Sequence, residues 1–119
     1  MNMYSIGQFA KKTGLTIRAL RHYDEKGLVT PAQLSEGGQR LYNDANILTV
    51  QKIVTYKYLD FTIGEIKALL MEETPLIDSL QQQKHLLQQK KQQLEKVIAS
   101  IDTAIQIHEK INVTEPTII

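Results

Sequence analysis

A chain of 119 residues without cysteine is long enough for one compact domain, or for a small domain with an extended appendage. The absence of cysteine excludes disulfides and thiolate-based metal or redox chemistry, and it fits a reducing cytosol. The sequence has no signal-peptide pattern and no apolar run that could cross a bilayer. We therefore expect a cytoplasmic protein that makes no membrane contact.

Positive charge is concentrated in the first part of the chain. Residues 1–71 carry nine Lys or Arg against six Asp or Glu, whereas residues 72–119 carry five against seven. A polyanion such as DNA could therefore bind the first part better than the second. The asymmetry is small, so it indicates a partner only in combination with sequence motifs.

The first predicted helix runs from about Ile6 to Thr13. Ser5 and Gln8 have the spacing of a capping box, and Tyr4 and Phe9 flank it as a hydrophobic staple. Both signals fix the same helix start, so this helix is well specified by its sequence.

A second helix is predicted after a turn at Gly14. Thr16 can cap its N-terminus, and Gly27 suits the left-handed position beyond its C-terminus. One face carries Arg18, Arg21, His22 and Glu25. Two short helices joined by a glycine-containing turn, over about residues 5–24, predict a helix-turn-helix with a basic second helix. The alternative for this helix taken alone is an ordinary solvated surface.

A β-hairpin is predicted over about residues 29–42, with its turn at Gly37 and Gly38. In the return strand, alternation places Arg40 and Tyr42 on one side and Leu41 on the other. We interpret the hairpin as a wing that reaches a neighbouring phosphate or groove of DNA. The alternative, a hairpin that only covers the core, explains Leu41 but not Arg40.

Two further short helices are predicted by caps at Asn43 and Thr62, the second in a capping box with Glu65. The expected apolar stripe of the first is Ile47, Val50, Val54 and Tyr58, with Lys52 and Tyr56 on another face. The expected apolar face of the second is Ile63, Ile66, Leu69 and Leu70. Four short helices and a hairpin within residues 1–71 can bury one small core.

One long helix is predicted over residues 75–112, because Thr74 can cap it and Pro75 suits its first position. Its apolar residues follow a heptad pattern. The expected seam residues are Leu80, Leu87, Leu94, Val97, Ile98, Ile101 and Ile105. The preceding domain is too small to cover this seam, so a second copy of the chain is the expected partner. Heptads alone leave parallel and antiparallel arrangements open.

Residues for catalysis or metal binding are not grouped in the sequence. The three histidines are scattered, and no cysteine can complete a metal site. Neither a phosphate-binding glycine loop nor a nucleophile elbow is present. We therefore expect no enzyme activity, no metal and no cofactor.

Several segments resemble the MerR family of bacterial transcription regulators. They are Tyr4–Ala10, Gly14–Leu28, Gly38–Tyr42 and Leu59–Ile66. The run Arg-His-Tyr-Asp-Glu-Lys-Gly-Leu and the Arg-Leu-Tyr after the wing turn occur together at the family's spacing. The resemblance covers about residues 2–71. The long last helix is also similar to the antiparallel coiled coil through which family members dimerise.

The resemblance implies a mainly α fold, a winged helix-turn-helix of four short helices and a small β-hairpin followed by one long dimerisation helix. It also implies a homodimer on a pseudo-palindromic operator between promoter elements that are separated by an overlong spacer. Activators of the family distort and untwist this spacer so that RNA polymerase engages both elements. The polymerase is thus an indirect partner, reached through the DNA.

The resemblance also implies which residues bind DNA. The residues that match the recognition helix are Arg18, Arg21, His22 and Tyr23, those that match the wing are Arg40 and Tyr42, and those that match an N-terminal contact are Tyr4 and Ser5. Further candidates beside them are Thr16, Gln39, Lys52 and Tyr56. Family members more often have an aromatic residue where this chain has His22.

The absence of cysteine separates the chain from the metal-sensing branches, whose thiolate ligands lie near the dimerisation helix. It is more similar to the multidrug- and peptide-sensing branches, which append an effector domain. Residues 113–119 form a tail with Pro116 and two isoleucines. We expect a DNA-binding fragment of a longer regulator, with any small-molecule effector acting through a domain absent from this sequence. The rival is a complete short regulator whose ligand lies near Ile105–Ile111.

Three hypotheses about function follow. The chain is a transcription regulator, an architectural or excisionase-like DNA-bending protein without effector, or a coiled-coil adaptor whose basic helix binds protein. Salt-dependent binding to a palindromic duplex separates the third from the others. Transcription from a promoter with an overlong spacer separates the first from the second.

Overall fold

The computed structural model describes residues 2–114. Within them, the elements are α1 (Ile6–Thr13), α2 (Ile17–Glu25), β1 (Gln33–Leu34), β2 (Arg40–Leu41), α3 (Asp44–Tyr58), α4 (Ile63–Leu70) and α5 (Leu76–Thr114). The chain divides into two compact units, Met1–Ser79 and Leu80–Ile119. The mainly helical fold class is confirmed. Most of the predicted tail lies outside the described residues.

Local capping signals determine where the short helices begin. The boxes at the starts of α1 and α4 are confirmed: Ser5 caps with Gln8, and Thr62 caps with Glu65. At the start of α3, Asn43 is the predicted cap, and Asn46 completes a capping box that was not predicted. Each box satisfies backbone N–H groups that a helix start leaves without partners.

The core of the first unit combines one or two side chains from each of the short helices α1–α4 with side chains from the segments between them. Its most buried residues are Phe9, Leu20, Val29, Tyr42, Val50, Ile53 and Ile66. On α3 the predicted apolar stripe is wrong in part, because Tyr58 is 88% exposed and Val54 is 44% exposed. The helix instead buries the face of Val50 and Ile53, since α1 and α4 both pack against α3.

The hairpin is shorter than predicted. Strands β1 and β2 have two residues each and pair antiparallel, with Gln33 opposite Leu41 and Leu34 opposite Arg40. At the start of the predicted arm, Val29 is buried in the core and belongs to no strand.

A backbone bridge extends the pairing beyond β2. The Tyr4 N–H donates to the Tyr42 carbonyl at 2.7 Å, and the Tyr42 N–H donates to the Tyr4 carbonyl at 2.8 Å. This bridge ties the N-terminal segment to the end of the wing.

The last helix, α5, has 39 residues. At 1.5 Å per residue it is about 58 Å long. The described part of the helix reaches Thr114, two residues beyond the predicted end. The predicted seam residues on it that are exposed are Leu87, Leu94, Val97, Ile98, Ile101 and Ile105, while Leu80 is half-buried. Across residues 2–114, no helix combines the length and apolarity needed to cross a membrane.

Gly27 offers a direct test of the end of α2. Its φ is +76°, and an added Cβ would lie 3.1 Å from the Nζ atom of Lys67. Replacing Gly27 with Ala should lower the free energy of unfolding by about 1–2 kcal/mol, because a Cβ is unfavourable in the left-handed region. Urea unfolding measures the change.

Gly64 is the matched control. It lies inside α4, with no heavy atom within 4 Å of an added Cβ and no positive φ. Replacing Gly64 with Ala should raise stability by about 0.5–1 kcal/mol, because Ala favours the helix. Equal effects of the two substitutions would contradict this description of the helix end.

Candidate nucleic-acid interface

Helix α2 is anchored on one side and exposes charge on the other. Leu20 is 1% exposed and fixes the helix in the core. Arg18, Arg21 and His22 are exposed. Thr16 caps the helix, because its Oγ1 accepts from the Ala19 N–H at 3.0 Å. The basic face predicted from sequence is therefore directed to solvent along one short, rigid helix.

The rings of His22 and Tyr23 lie beside each other near the end of α2. Their centroids are 5.9 Å apart and the planes are tilted by 53°. Tyr23 is half-buried, and its carbonyl accepts from the Leu28 N–H at 2.9 Å. Tyr23 therefore helps to close the helix end as well as bordering its basic face.

A groove of about 600 Å³ lies where three elements of the first unit meet. Its lining residues are Ser5 and Ile6 at the start of α1, Arg21, Asp24 and Glu25 on α2, and Gly38, Gln39 and Arg40 on the wing. Four predicted DNA-binding residues are thus brought together. They are Ser5, Arg21, Gln39 and Arg40.

The wing is joined to α2 by a carboxylate. The Arg40 Nε lies 2.6 Å from Asp24 Oδ2, and the Tyr42 hydroxyl donates to the same oxygen at 3.1 Å. The Asp24 side chain is 13% exposed, whereas that of Arg40 is 57% exposed. Arg40 therefore has one edge held by α2 and a large part of its side chain open to solvent.

The assignment of Tyr42 to the DNA-binding residues needs correction. Tyr42 is 1% exposed, and its ring stacks on Phe9 with centroids 4.5 Å apart and planes 6° from parallel. Alternation correctly placed Arg40 and Tyr42 on one side of the strand. On that side of the strand Arg40 is exposed to solvent, whereas Tyr42 is buried in the core. Tyr42 is therefore a packing residue.

Tyr4 is corrected for a similar reason. It is only 9% exposed, and its hydroxyl donates to Asp44 Oδ1 at 2.7 Å. Its backbone N–H and carbonyl both pair with Tyr42. The Lys12 ammonium lies 5.1 Å from the Tyr4 ring centroid, within cation–π range. Tyr4 thus fixes the N-terminal segment, and its hydroxyl hydrogen is used within the fold.

Lys52 and Tyr56 lie outside the groove lining. Lys52 is exposed on α3, while Tyr56 is half-buried and meets the Phe61 ring edge-on at 6.1 Å. DNA contacts by these two residues stay a prediction. In residues 2–114, no group of His, Cys, Asp and Glu side chains could hold a metal ion.

Sequence reasoning missed the role of Asp24. Its partners, Arg40 and Tyr42, are 16 and 18 positions further along the chain, beyond the reach of helical periodicity. The available signal was an acidic residue on a basic helix that is followed by a basic hairpin. Such a carboxylate would repel DNA unless a cation of the fold neutralised it.

Comparison with known proteins decides the family. The model of the MerR HTH family regulatory protein matches residues 4–73. The chain belongs to the MerR family. This membership in a family of regulatory proteins confirms the expectation that the chain is not an enzyme.

Individual MerR proteins resemble the chain over most of its length. It is 38% identical over 105 residues to the "HTH-type transcriptional activator mta" of Bacillus subtilis, covering 86% of this chain and 40% of that protein. The crystal structure of MtaN, the N-terminus of the Bacillus subtilis multidrug transporter activator, matches with a TM-score of 0.77 and 37% identity. The match covers 86% of this chain and 97% of MtaN.

A protein whose structure was solved in complex with DNA has a similar fold. EcmrR, in the cryo-EM structure of the EcmrR-DNA complex in EcmrR-RPo, matches with a TM-score of 0.81 and 26% identity. The match covers 90% of this chain and 40% of EcmrR. The chain thus spans about two fifths of the length of the curated relative mta and of EcmrR.

Tyr42 should make stability depend on alkaline pH. Burial, together with the Asp24 carboxylate, raises the pKa of Tyr42 to about 12 from its ordinary value of 10.0. The folded state therefore favours the neutral phenol. This contribution to stability is complete below about pH 10, and it is lost as the pH rises from about 10 to about 12.

Tyr42→Phe should remove this part of the pH dependence while lowering stability at neutral pH, because the bond to Asp24 is lost. Thermal melts from about pH 8 to about pH 11.5 measure it. Tyr58→Phe is the control, since Tyr58 is 88% exposed and should leave the curve unchanged. Equal curves for the two variants would show that the Tyr42 phenol is not held as described.

Proposed function

We propose that this chain binds promoter DNA as a homodimer and activates transcription by distorting an overlong spacer. The groove carries the proposal, because Arg21 on the recognition helix and Arg40 on the wing line the same concave surface. A basic helix beside a basic ribbon can enter a major groove and hold the adjacent backbone. The assignment of mta as a transcriptional activator and the structure of EcmrR in complex with DNA support the same proposal.

In this proposal the basic residues have two kinds of role. Arg18 and Arg21 are exposed on α2 and have the fork geometry for a guanine edge or a pair of phosphate oxygens. Arg40 and Gln39 contact phosphates from the wing, which positions the protein without reading sequence. Residues 1–71 therefore form the DNA-binding domain of the proposal, and residues 75–112 form the dimerisation helix.

The dimer follows from the long exposed seam of α5. Apolar side chains such as Leu94 at 61% and Ile101 at 53% exposed are stabilised when a partner helix covers them, by about 25 cal/mol per Å². A two-fold dimer presents two recognition helices, and so it matches a pseudo-palindromic site.

Charge along α5 favours an antiparallel pair. Residues 76–93 carry three lysines and one aspartate, whereas residues 94–112 carry three carboxylates and two lysines. In an antiparallel pair the positive half of each helix lies against the negative half of the other. A parallel pair would place like halves together, which costs energy.

The remaining partners follow from the proposed activity. RNA polymerase is engaged through the reshaped promoter, and a DNA-binding regulator of this kind works in the bacterial cytoplasm with the nucleoid.

Transcription in vitro tests activation. With purified polymerase, the chain should raise transcription from a promoter with an overlong spacer and not from one with a normal spacer. Binding and bending without any rise would favour the architectural alternative.

Two arginine substitutions should separate base reading from phosphate binding. Arg18→Ala should cost about 1–3 kcal/mol of operator binding and relax sequence preference at one position. Arg40→Ala should weaken operator and random duplex alike, and lower the salt slope by about one unit. Fluorescence anisotropy over a range of salt concentrations measures both quantities.

Lys96→Ala is the charge control, because Lys96 is an exposed cation of α5 outside the groove lining. It should change operator affinity little. If neither arginine substitution weakens binding more than this control, the proposed interface is wrong.

The seam is tested by one buried charge. Ile101→Asp should give monomers and weak operator binding, because a carboxylate in an apolar seam is costly to desolvate. Gln92→Asp is the control, since Gln92 lies two positions before Leu94 and hence on the opposite side of the helix. Sedimentation should show wild type and control as dimers at micromolar concentration. A monomeric wild type would refute the dimer.

A further inference from the structure

We propose that Asp24 is a positioning residue for DNA binding: it holds the wing residue Arg40 at the edge of the groove, ready for a phosphate. The inference rests on the proposed function. It goes beyond that function because it assigns to a carboxylate, itself negatively charged, a contribution that strengthens the binding of an anionic phosphate.

The geometry of the ion pair carries the inference. Asp24 Oδ2 approaches Arg40 at Nε, the inner nitrogen of the guanidinium, at 2.6 Å. The guanidinium has five N–H donors, and Nε supplies one of them. The Arg40 side chain is still 57% exposed, so its outer part is accessible to a ligand while its inner edge is fixed.

Asp24 is itself held in place. Its side chain is 13% exposed, and the Tyr42 hydroxyl donates to the oxygen that faces Arg40. Tyr42 in turn is clamped by stacking on Phe9 and by backbone pairing with Tyr4. A carboxylate fixed from behind in this way can orient the guanidinium in front of it.

A fixed guanidinium binds a phosphate better than a mobile one. A free arginine loses rotamer entropy when it binds, and an arginine already held in position loses less. The pair also lies between α2 and the wing, so Arg40 keeps a constant position relative to Arg21 across the groove. Asp24 thereby lets the helix and the wing bind neighbouring parts of one duplex together.

Asp24 could also act against DNA binding, and this alternative makes the opposite prediction. A carboxylate that merely competes with DNA for Arg40, or repels phosphates, would weaken binding. Its removal would then tighten binding. The sign of the change therefore separates positioning from competition.

Glu25 provides the matched control. It is the next residue on α2, it lines the same groove, and it is exposed. In residues 2–114 the structure shows no ion pair of Glu25, whereas Asp24 has one. Glu25→Gln and Asp24→Asn remove the same charge from nearly the same place, and only the second removes the ion pair that holds Arg40.

A double-mutant cycle on operator and random duplexes tests the inference. Asp24→Asn should weaken binding to both about two- to tenfold, the range expected for ordering one long side chain. In an Arg40→Ala background the same change should have less than about a twofold effect. Glu25→Gln should tighten binding, because it removes a negative charge from the groove without breaking an ion pair. Tighter binding by Asp24→Asn, or an equal loss with and without Arg40, would overturn the inference.

Two further measurements keep the result independent of folding and of the proposed function. Asp24→Glu, which keeps the carboxylate, should bind better than Asp24→Asn at equal melting temperature, and equal binding would count against positioning.

Nuclear magnetic relaxation of the Arg40 Nε–H without DNA should show an ordered group in wild type and a mobile one in Asp24→Asn. A mobile group in wild type overturns the inference. A wild type with ordered Arg40 that binds no duplex overturns the proposed function instead.

Discussion

The arrangement of the first unit depends on how Tyr42 is held. Its ring stacks on Phe9 of α1, its hydroxyl bonds to Asp24 of α2, and its backbone pairs with Tyr4. A stacked aromatic pair and a buried, satisfied hydroxyl are both favourable, and together they leave one orientation for the residue. Because Tyr42 directly follows β2, this fixed point sets where the wing leaves the core.

A wing that is fixed at its base makes a two-element binding surface possible. Helix α2 alone is short and offers a narrow basic stripe, and the two paired residues of each strand would give an isolated hairpin little stability. Tied together through Asp24, the two elements form one groove with cations from both. In the proposed complex with DNA, affinity from phosphates and specificity from base edges would then add, because the groove presents both sets of contacts in a constant geometry.

Much of this fold could be predicted from the sequence, because its signals are local. The caps at Ser5 and Thr62 act within one helical turn and were read correctly. Contacts between distant residues were not predictable in this way. Alternation predicted on which side of the strand Tyr42 lies, but it did not predict that Tyr42 is buried in the core. On α3, periodicity favoured Tyr58, whereas packing by α1 and α4 selected Ile53.

The central claim is that DNA lies against the outer edge of the groove while Tyr42 stays in the core. Nuclear magnetic resonance with isotope-labelled protein and a promoter duplex measures this directly. We expect large shift changes at the side chains of Arg18, Arg21 and Arg40, with the ring signals of Tyr42 and Phe9 unchanged. Shift changes at the Tyr42 ring as large as those at Arg40, or no change along α2, would contradict it.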